Sequence, residues 1–236
     1  DLAVGRLDVF ARVLHDLSVN AIRSDRDWRL RLDGHEVEGT AVWRGPGPGL
    51  PNGRVQARLA RFTAPGPDEL NPVHSEVDTR QKAKNTWPAL DIEAESFQSR
   101  SGRDLGALAL LAEPTGADWH ITKLSLVNPA GRIDANGWWR VGRDQAVTDI
   151  ELALDAQDAG AFLERFGYPV AVRNAPTKIT GRLTWNGAPN DFDYPTLAGN
   201  FALRTGAGQF TKIDPGMGKL LSLLSLQALP RRITLD

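Results

Sequence analysis

Apolar and polar residues alternate along most of the chain. Clear examples are the segments Trp28-Arg-Leu-Arg-Leu32, Ile150-Glu-Leu-Ala-Leu154 and Ile179-Thr-Gly-Arg-Leu183. A period of two places successive side chains on opposite faces of a β-strand, so each segment predicts a strand with one apolar and one polar face. Such one-sided strands are typical of antiparallel sheets. About eleven or twelve of these segments, separated by turn signals such as Asn186-Gly187, predict a mainly β chain.

Helical periodicity is confined to a few short stretches. Asp158 to Gly167 has apolar residues three and four apart, with Asp158 as a candidate N-cap and Gly167 as the end of the helix. A weaker pattern predicts a helix from about Leu7 to Leu17. A third helix is expected over residues 214–229, because Asp214 and Pro215 suit a helix start and Pro230 ends the apolar run. Its leucines include Leu220, Leu221, Leu223 and Leu224.

The helix expected over residues 214–229 is too short to span a bilayer, which needs about 20 apolar residues. Its leucines are spread around so much of the helix that one sheet face cannot bury them all. We therefore expect it to cap one end of the apolar face. The alternative is that it also contacts a membrane surface or a protein partner.

These strands need a large apolar surface to be covered. Either the sheet folds onto itself as a closed sandwich, or it curves into an extended antiparallel sheet whose apolar side forms a groove. We expect the groove. Residues 1–236 would then form a single elongated segment of a longer chain, with two or three short helices. The residues expected to line one concave apolar side share the phase of their strands: Leu30, Leu32, Ala41, Trp43, Ile92, Ile121, Ile133, Trp139, Ile150, Leu152, Leu183 and Phe201.

A loose internal repeat involves the tryptophans. Trp28 followed by Trp43 resembles Trp119 followed by Trp139, and Gly181 to Trp185 is a partial third copy. Repeated groups of strands indicate a sheet that grows by addition along one direction. Trp43, Trp139 and Trp185 lie in phase with the aliphatic residues of their strands, whereas Trp138 is expected to point the other way or to mark a bulge.

Composition narrows the functional classes. The chain has 28 Lys and Arg against 29 Asp and Glu, a net charge of −1, which argues against a nucleic-acid-binding protein. It has no cysteine, so disulfides, cysteine zinc sites and thiol nucleophiles are excluded. With 41% hydrophobic residues, the composition does not resemble that of a disordered acidic segment.

No set of residues forms a convincing catalytic or metal site. The four histidines are scattered and none has metal-ligand spacing to another. Asp91, Glu93 and Glu95 share one strand face and could be compared with a glycosidase pair, but the polar face of an amphipathic strand explains them better. No phosphate-binding loop or nucleophile motif occurs. We therefore expect no enzyme activity, no catalytic metal and no cofactor.

Several segments resemble the YhdP branch of the AsmA-like family. The most specific is the C-terminal stretch Gly208 to Arg232, which contains Ile-Asp-Pro-Gly-Met-Gly-Lys-Leu-Leu. The segments that resemble the same family in the same order are Trp87 to Asp91, Asp104 to Gly106, Asp158 to Pro169, Gly181 to Pro189 and Leu197 to Gly199. The resemblance covers most of the chain and is most specific from about Trp87 onward.

The resemblance implies a function in the envelope of Gram-negative bacteria. Family members are inner-membrane-anchored, otherwise periplasmic bridge proteins, along whose apolar β-groove phospholipids pass towards the outer membrane. This chain would be a C-terminal periplasmic portion that contacts phospholipid acyl chains, near the outer-membrane inner leaflet or an outer-membrane protein. Two alternatives stay open: a closed β-sandwich that binds glycan through exposed tryptophans, and a purely structural scaffold that spans the periplasm.

Overall fold

Fourteen β-strands dominate the part of the chain that is described. The structure is a computed structural model, and it describes residues 2–9, 12–25, 27–63, 87–142, 145–170, 172–189 and 193–210. The strands are β1 Leu2–Val9, β2 Arg12–Ser24, β3 Asp27–Asp33, β4 Val37–Arg44, β5 Arg54–Thr63, β6 Ala89–Gln98, β7 Asp104–Thr115, β8 Asp118–Asn128, β9 Gly131–Val141, β10 Ala146–Ala156, β11 Val172–Arg173, β12 Thr177–Asn186, β13 Ala198–Thr205 and β14 Gln209–Phe210.

Twelve of these strands form one sheet in the linear order β1-β2-β3-β4-β5-β6-β7-β8-β9-β10-β12-β13. All neighbours are antiparallel except β5 and β6, which pair in parallel. The connection between those two strands falls in residues 64–86, outside the described part of the chain. The short strands β11 and β14 form a separate pair.

The sheet is curved and open, as the sequence predicts. Irregularities in the register interrupt the ladders of β4 with β5, β6 with β7, β7 with β8, and β8 with β9. Bulges of this kind bend a strand and increase its local twist, which provides a physical reason for the curvature. Among the described residues, no second large sheet faces the first, so the closed-sandwich alternative is not the observed fold.

The predicted helix near residue 160 is confirmed. Helix α1 spans Ala159–Arg165, and the Asp158 carboxylate accepts hydrogen bonds from the backbone N–H groups of Gly160 and Ala161 at 3.0 and 3.3 Å. This contact satisfies donors that have no partner within the helix. A single 3₁₀ turn, Tyr194–Thr196, precedes β13. The capping helix expected over residues 214–229, with Leu220, Leu221, Leu223 and Leu224, lies outside the described residues.

The prediction of a helix from Leu7 to Leu17 is wrong. This region forms the strand pair β1 and β2, in which Leu7 and Leu14 are Cα partners across the ladder. Short helices depend on tertiary packing for most of their stability. Here the segment instead gains a ladder of hydrogen bonds and extends the sheet by two strands.

The buried core consists of two clusters on the apolar face of the sheet. The first is aliphatic and extends from β2 to β8, with Leu17, Leu59 and Leu126 among its buried members. The second extends from β7 to β12 and is built around Trp119, Ile150 and Trp185. Both clusters lie on the same face, so curvature of the sheet replaces a second layer in burying them.

Candidate functional site: the apolar face of the sheet

The apolar face is organised in rows that run across the strands. Cα partners on neighbouring strands carry their side chains on the same face, so the register can be followed from strand to strand. The central row, from β2 to β13, consists of Ala21, Leu30, Ala41, Ala57, Ile92, Leu110, Leu124, Ala135, Leu152, Gly181 and Phe201. No polar residue interrupts it.

A second row lies two residues along each strand from the first and is also free of polar residues. Its members are Val19, Leu32, Gly39, Leu59, Ala94, Leu108, Leu126, Ile133, Leu154, Ile179 and Leu203. Neighbouring strands are about 4.8 Å apart, so eleven strands give each row a length of about 48 Å. The apolar surface is therefore continuous along the direction in which the sheet extends.

A third row, on the other side of the central row, contains further aliphatic positions and two tryptophans. It consists of Trp28, Trp43, Val55, Leu90, Ala112, Ile121, Gly137, Ile150, Leu183 and Gly199. One step further towards the strand ends, Trp119, Trp139, Thr148 and Trp185 are successive partners on β8, β9, β10 and β12.

All twelve residues expected to line a concave side lie on this one face. Five are in the central row, Leu32 and Ile133 are in the second, four are in the third, and Trp139 is in the outer row of tryptophans. The register therefore brings them together on one surface. That this surface contacts a ligand stays a prediction.

Much of the face is open. The central-row residues Leu30, Ile92, Leu124 and Leu152 are half-buried. Strand β13 is exposed along its whole length, with Phe201 at 50% and Leu203 at 62% of their full accessible surface. Apolar surface of this extent gains free energy when another apolar molecule covers it, at about 25 cal/mol per Å².

The repeated tryptophan pattern has a structural counterpart. Trp28 and Trp43 are cross-strand partners on β3 and β4, and Trp119 and Trp139 are cross-strand partners on β8 and β9. Trp87, which precedes β6, packs edge-to-face against both Trp119 and Trp139, with ring centroids 5.2 and 5.7 Å apart. Aromatic pairs in this geometry contribute about 0.5–1.5 kcal/mol beyond the area that they bury.

Trp138 points to the opposite face, as one of the two sequence-based interpretations proposes. It is the Cα partner of His120, and the two rings stack with centroids 4.0 Å apart. The Arg140 guanidinium lies 6.0 Å from the centroid of the Trp138 ring. Of the seven tryptophans, this is the one placed among the polar side chains.

The polar face carries ion pairs between neighbouring strands. Arg58 on β5 contacts Asp91 and Glu93 on β6 at 2.8 and 3.2 Å. Lys178 on β12 contacts Asp155 on β10 at 2.7 Å. Asp91 and Glu93 therefore belong to the water-facing side of an amphipathic strand, as the sequence indicates. Exposed pairs of this kind contribute about 0–1 kcal/mol each.

One carboxylate on the polar face is buried. Asp149 is 7% exposed and accepts hydrogen bonds from Arg182 Nε at 2.6 Å and from Arg140 Nη1 at 3.1 Å. The hydrogen bond from Arg182 is the main reason that the pKa of Asp149 lies below its usual value; burial opposes this shift, and Arg140 adds to it. The two arginines thus keep Asp149 ionised within the sheet.

A cleft of about 820 Å³ lies beside α1, at the edge of the sheet opposite the tryptophans. Two of its polar residues, Asp158 and Arg165, are engaged in structural contacts. Asp158 caps the helix, and its pKa is lowered mainly by a hydrogen bond from the backbone of Asn174. Arg165 donates to the carbonyl oxygen of Asp104 at 3.0 Å. Asp158 and Arg165 therefore have structural roles. The residues that line the cleft do not pair a nucleophile with a base.

The described part of the chain contains no group of three or more His, Asp and Glu side chains that could hold a metal ion. His35 lies in the turn between β3 and β4, whereas His120 lies on β8 and stacks on Trp138. What this arrangement can do is bind apolar material over a long surface. Within the described ranges, no set of polar groups converges as a reaction would require.

Several residues of the apolar face are missing from the sequence-based set. Four of them are leucines of the central row and the second row: Leu108 and Leu110 on β7, and Leu124 and Leu126 on β8. Strand β7 is apolar on almost every residue from Leu105 to Ala112, so it shows no alternation that could reveal its two faces. The bulges in β7 and β8 shift the phase further.

The fold and its two-faced sheet define a class of protein: an open β-groove with an apolar interior surface and a polar exterior. The whole chain, residues 1–236, matches the family model described as YhdP protein, and the chain belongs to that family. No curated protein and no solved structure matches it. The family relationship that the sequence segments indicate is therefore confirmed.

Membership of this family indicates a protein of the cell envelope. The family is not known for enzymatic activity. Among the helices in the described ranges, none has the length and apolar character needed to cross a bilayer.

Proposed function

We propose that this chain is a periplasmic segment of an inner-membrane-anchored bridge protein, and that its apolar face conducts phospholipid between the two membranes of the envelope. The observation that carries the proposal is the pair of uninterrupted apolar rows, each extending across eleven strands. Membership of an envelope family supports it. The acyl chains would contact these rows, and the polar face would remain in water.

The energetics suit transport as well as binding. Each methylene that leaves water contributes about 0.8 kcal/mol, so a chain that contacts several strands is held firmly. At every strand except β13, where Phe201 lies in the central row, the rows present an aliphatic side chain, alanine or glycine. Successive positions therefore differ little in affinity, and a lipid can move by one strand at small cost. Movement along such a surface requires no catalytic residue.

The position of the tryptophans disfavours glycan binding. A glycan-binding module would present several aromatic rings on a convex, water-facing surface. Here only Trp138 lies on the polar face among the described residues, and its ring is covered on one side by His120. A purely structural scaffold would need its apolar face closed, whereas Phe201 and Leu203 are exposed and four leucine and isoleucine residues of the central row are half-buried.

Site-specific photocrosslinking tests the proposal directly. Leu152 and Ala153 are neighbours on β10 with side chains on opposite faces, Leu152 in the central apolar row and Ala153 exposed on the polar face. The protein is produced in Gram-negative cells with p-benzoylphenylalanine at one position or the other, irradiated and purified. Mass spectrometry then detects bound phospholipid.

We expect phospholipid adducts with Leu152→p-benzoylphenylalanine and none with Ala153→p-benzoylphenylalanine. Equal adduct yields at both positions, or no adduct at Leu152 in a folded protein, would overturn the proposal. Urea unfolding of both variants shows whether the fold is kept.

A further inference from the structure

The two long edges of the apolar face differ in chemistry. Six of the seven tryptophans lie at one edge, where β3, β6 and β8 begin and where β4, β9 and β12 end: Trp28, Trp43, Trp87, Trp119, Trp139 and Trp185. The opposite edge is lined by aliphatic and phenyl side chains, Leu17, Val37, Phe62, Phe97 and Leu105. No tryptophan lies at that second edge in the described part of the chain.

The tryptophan edge combines apolar rings with a cation, and the N–H donors of its two buried tryptophans are engaged within the fold. Trp119, 2% exposed, donates from Nε1 to the carbonyl oxygen of Pro88 at 3.1 Å, and Trp185 donates to that of Ala188 at 3.1 Å. Trp28 is 40% exposed, and the exposed Arg23 guanidinium lies 5.7 Å from the centroid of its ring. Arg23 Nε donates to the carbonyl oxygen of Asp25 at 3.3 Å, which leaves its remaining N–H groups facing solvent. Arg23 and Trp28 are also cross-strand partners.

Around Phe62 and Phe97, the phenyl edge lacks such groups on its apolar side. Further along the same edge lie the charged residues of the cleft beside α1, among which Arg165 is engaged with the carbonyl oxygen of Asp104. Phe62 and Phe97 pack on each other with ring centroids 5.7 Å apart and belong to the aliphatic cluster. Arg61 at this edge is engaged, because it donates to the carbonyl oxygens of Gly34 and His35 at 2.9 and 3.2 Å and contacts Glu38 at 3.3 Å. A polar head group would gain little beside Phe62 and Phe97, whereas acyl chains would gain contact area there.

We propose that these edges fix the orientation of the bound phospholipid, with its glycerol and phosphate end at the tryptophan edge and its acyl chains directed towards the phenyl edge. This inference rests on the proposed function. Indole rings have an apolar body and an N–H donor, and they favour the level of a bilayer where head groups meet the chains. A cation at the same edge attracts the phosphate.

A consequence of this orientation is that every lipid in the groove faces the same way. Head groups that remain along one edge stay hydrated while the chains move over the aliphatic rows. Burial of a charged phosphate in the groove, which is strongly unfavourable, is then avoided at each step. Trp28 and Trp43, which are not buried, therefore act as positioning residues for the lipid, and the buried Trp119 and Trp185 support this edge from within the fold.

Fluorine NMR with spin-labelled lipids tests the orientation. One sample of the protein carries 5-fluorotryptophan and a second carries 4-fluorophenylalanine, and resonances are assigned with Trp28→Phe, Trp43→Phe, Phe62→Leu and Phe97→Leu. Each sample receives phosphatidylcholine with a nitroxide on the choline head group or, separately, with a nitroxide near the end of the acyl chain. Trp138, on the polar face, is the internal control.

We expect the head-group nitroxide to cause loss of signal at Trp28 and Trp43, and a smaller loss at Phe62 and Phe97. The chain-end nitroxide should show the opposite order, and Trp138 should keep its intensity with both. Equal loss at both edges, or a reversed order, would overturn the orientation while leaving lipid binding intact. Loss at Trp138 equal to that at Trp28 would overturn it too, because the lipid would then be coating the surface. No loss at any residue of the apolar face would instead contradict the proposed function.

Discussion

A charge placed in the central apolar row should block lipid binding without unfolding the protein. Leu152 is the most suitable position, because it is half-buried and its cross-strand partners are Ala135 and Gly181, which leave space around it. The substitution Leu152→Glu places a carboxylate on the surface that the acyl chain would cover. Gly181 itself is unsuitable, because a Cβ there would lie 2.5 Å from the carbonyl oxygen of Asn200.

The expected magnitudes separate stability from binding. Complete burial of a leucine contributes about 1.5–3 kcal/mol, so loss of a half-buried one should lower the free energy of unfolding by about 1 kcal/mol. A carboxylate covered by an acyl chain without a hydrogen-bonding partner costs at least about 2 kcal/mol. That cost corresponds to a decrease in lipid affinity of about 30-fold, since 1.4 kcal/mol is tenfold.

The control is Thr180→Glu, which adds the same charge on the neighbouring strand β12 but on the exposed polar face. Binding of a fluorescent phosphatidylethanolamine to the purified proteins is measured by titration, and urea unfolding of each variant gives its stability. We expect a large loss of affinity for Leu152→Glu and wild-type affinity for Thr180→Glu. If Leu152→Glu bound lipid as tightly as the wild type, the apolar row would not be the binding surface. An equal loss in both variants would refute the assignment to this face.

Three further predictions concern the fold that supports the groove. Asp149→Asn should lower the free energy of unfolding at neutral pH by about 2 kcal/mol, because hydrogen bonds to charged groups contribute about 1.5–3 kcal/mol. The pKa of Asp149 is lower in the folded protein than in the unfolded chain, where it is about 3.9. Its contribution to the free energy of unfolding is therefore present above pH 3.9 and is lost as the pH falls through the folded-state pKa. Between these two pKa values, the stability of the variant should decrease less with falling pH than that of the wild type. Asp158→Ala removes the cap of α1 and should cost about 1 kcal/mol, with faster hydrogen exchange in the helix. Gly181→Ala should lower the thermal stability by the equivalent of about 1–3 kcal/mol, because its Cβ would crowd the β13 backbone.

Each of these variants has a matched control in the same element. Asp155→Asn changes an exposed carboxylate on the strand that carries Asp149, and should cost about 0–1 kcal/mol. Glu164→Ala changes an exposed residue of α1 away from its cap, and Thr180→Ala changes the exposed neighbour of Gly181. A control as destabilising as its partner would show that the buried charge, the cap or the close approach of the backbone is not the cause.

Much of the sheet could be predicted from alternation alone, and the exceptions have identifiable physical causes. The segments Trp28 to Leu32 in β3 and Ile150 to Leu154 in β10 are predicted correctly, because water on one face and apolar material on the other impose a period of two. The faces of strand β7 could not be predicted in this way, because Leu105 to Ala112 is apolar on nearly every residue. Leu111, although apolar, lies exposed on the polar face. The region Leu7 to Leu17 shows the limit of helical periodicity in short segments, since pairing with a neighbouring strand outweighs it.

The candidate site divides in the same way. The phase of each strand predicted which residues share a face within that strand, and all twelve of these residues do lie on the apolar face. Trp87 could not be found in this manner, because it precedes β6 and contacts Trp119 and Trp139 only through the fold. The role of Asp149 was also hidden, because its two arginines come from β9 and β12.

The sequence by itself determined that this chain forms many strands with one apolar and one polar face. Alternation is a local property, because successive side chains of a strand point to opposite faces whatever its neighbours are. The sequence also determined the helix after Asp158, whose cap and apolar spacing are local. The tertiary structure decided the order of the strands, the parallel pair of β5 and β6, and the alignment of separate strands into continuous rows. It also gathered six tryptophans at one edge. These features depend on register and on bulges between strands far apart in the chain, and a local pattern carries no information about which strands will be neighbours.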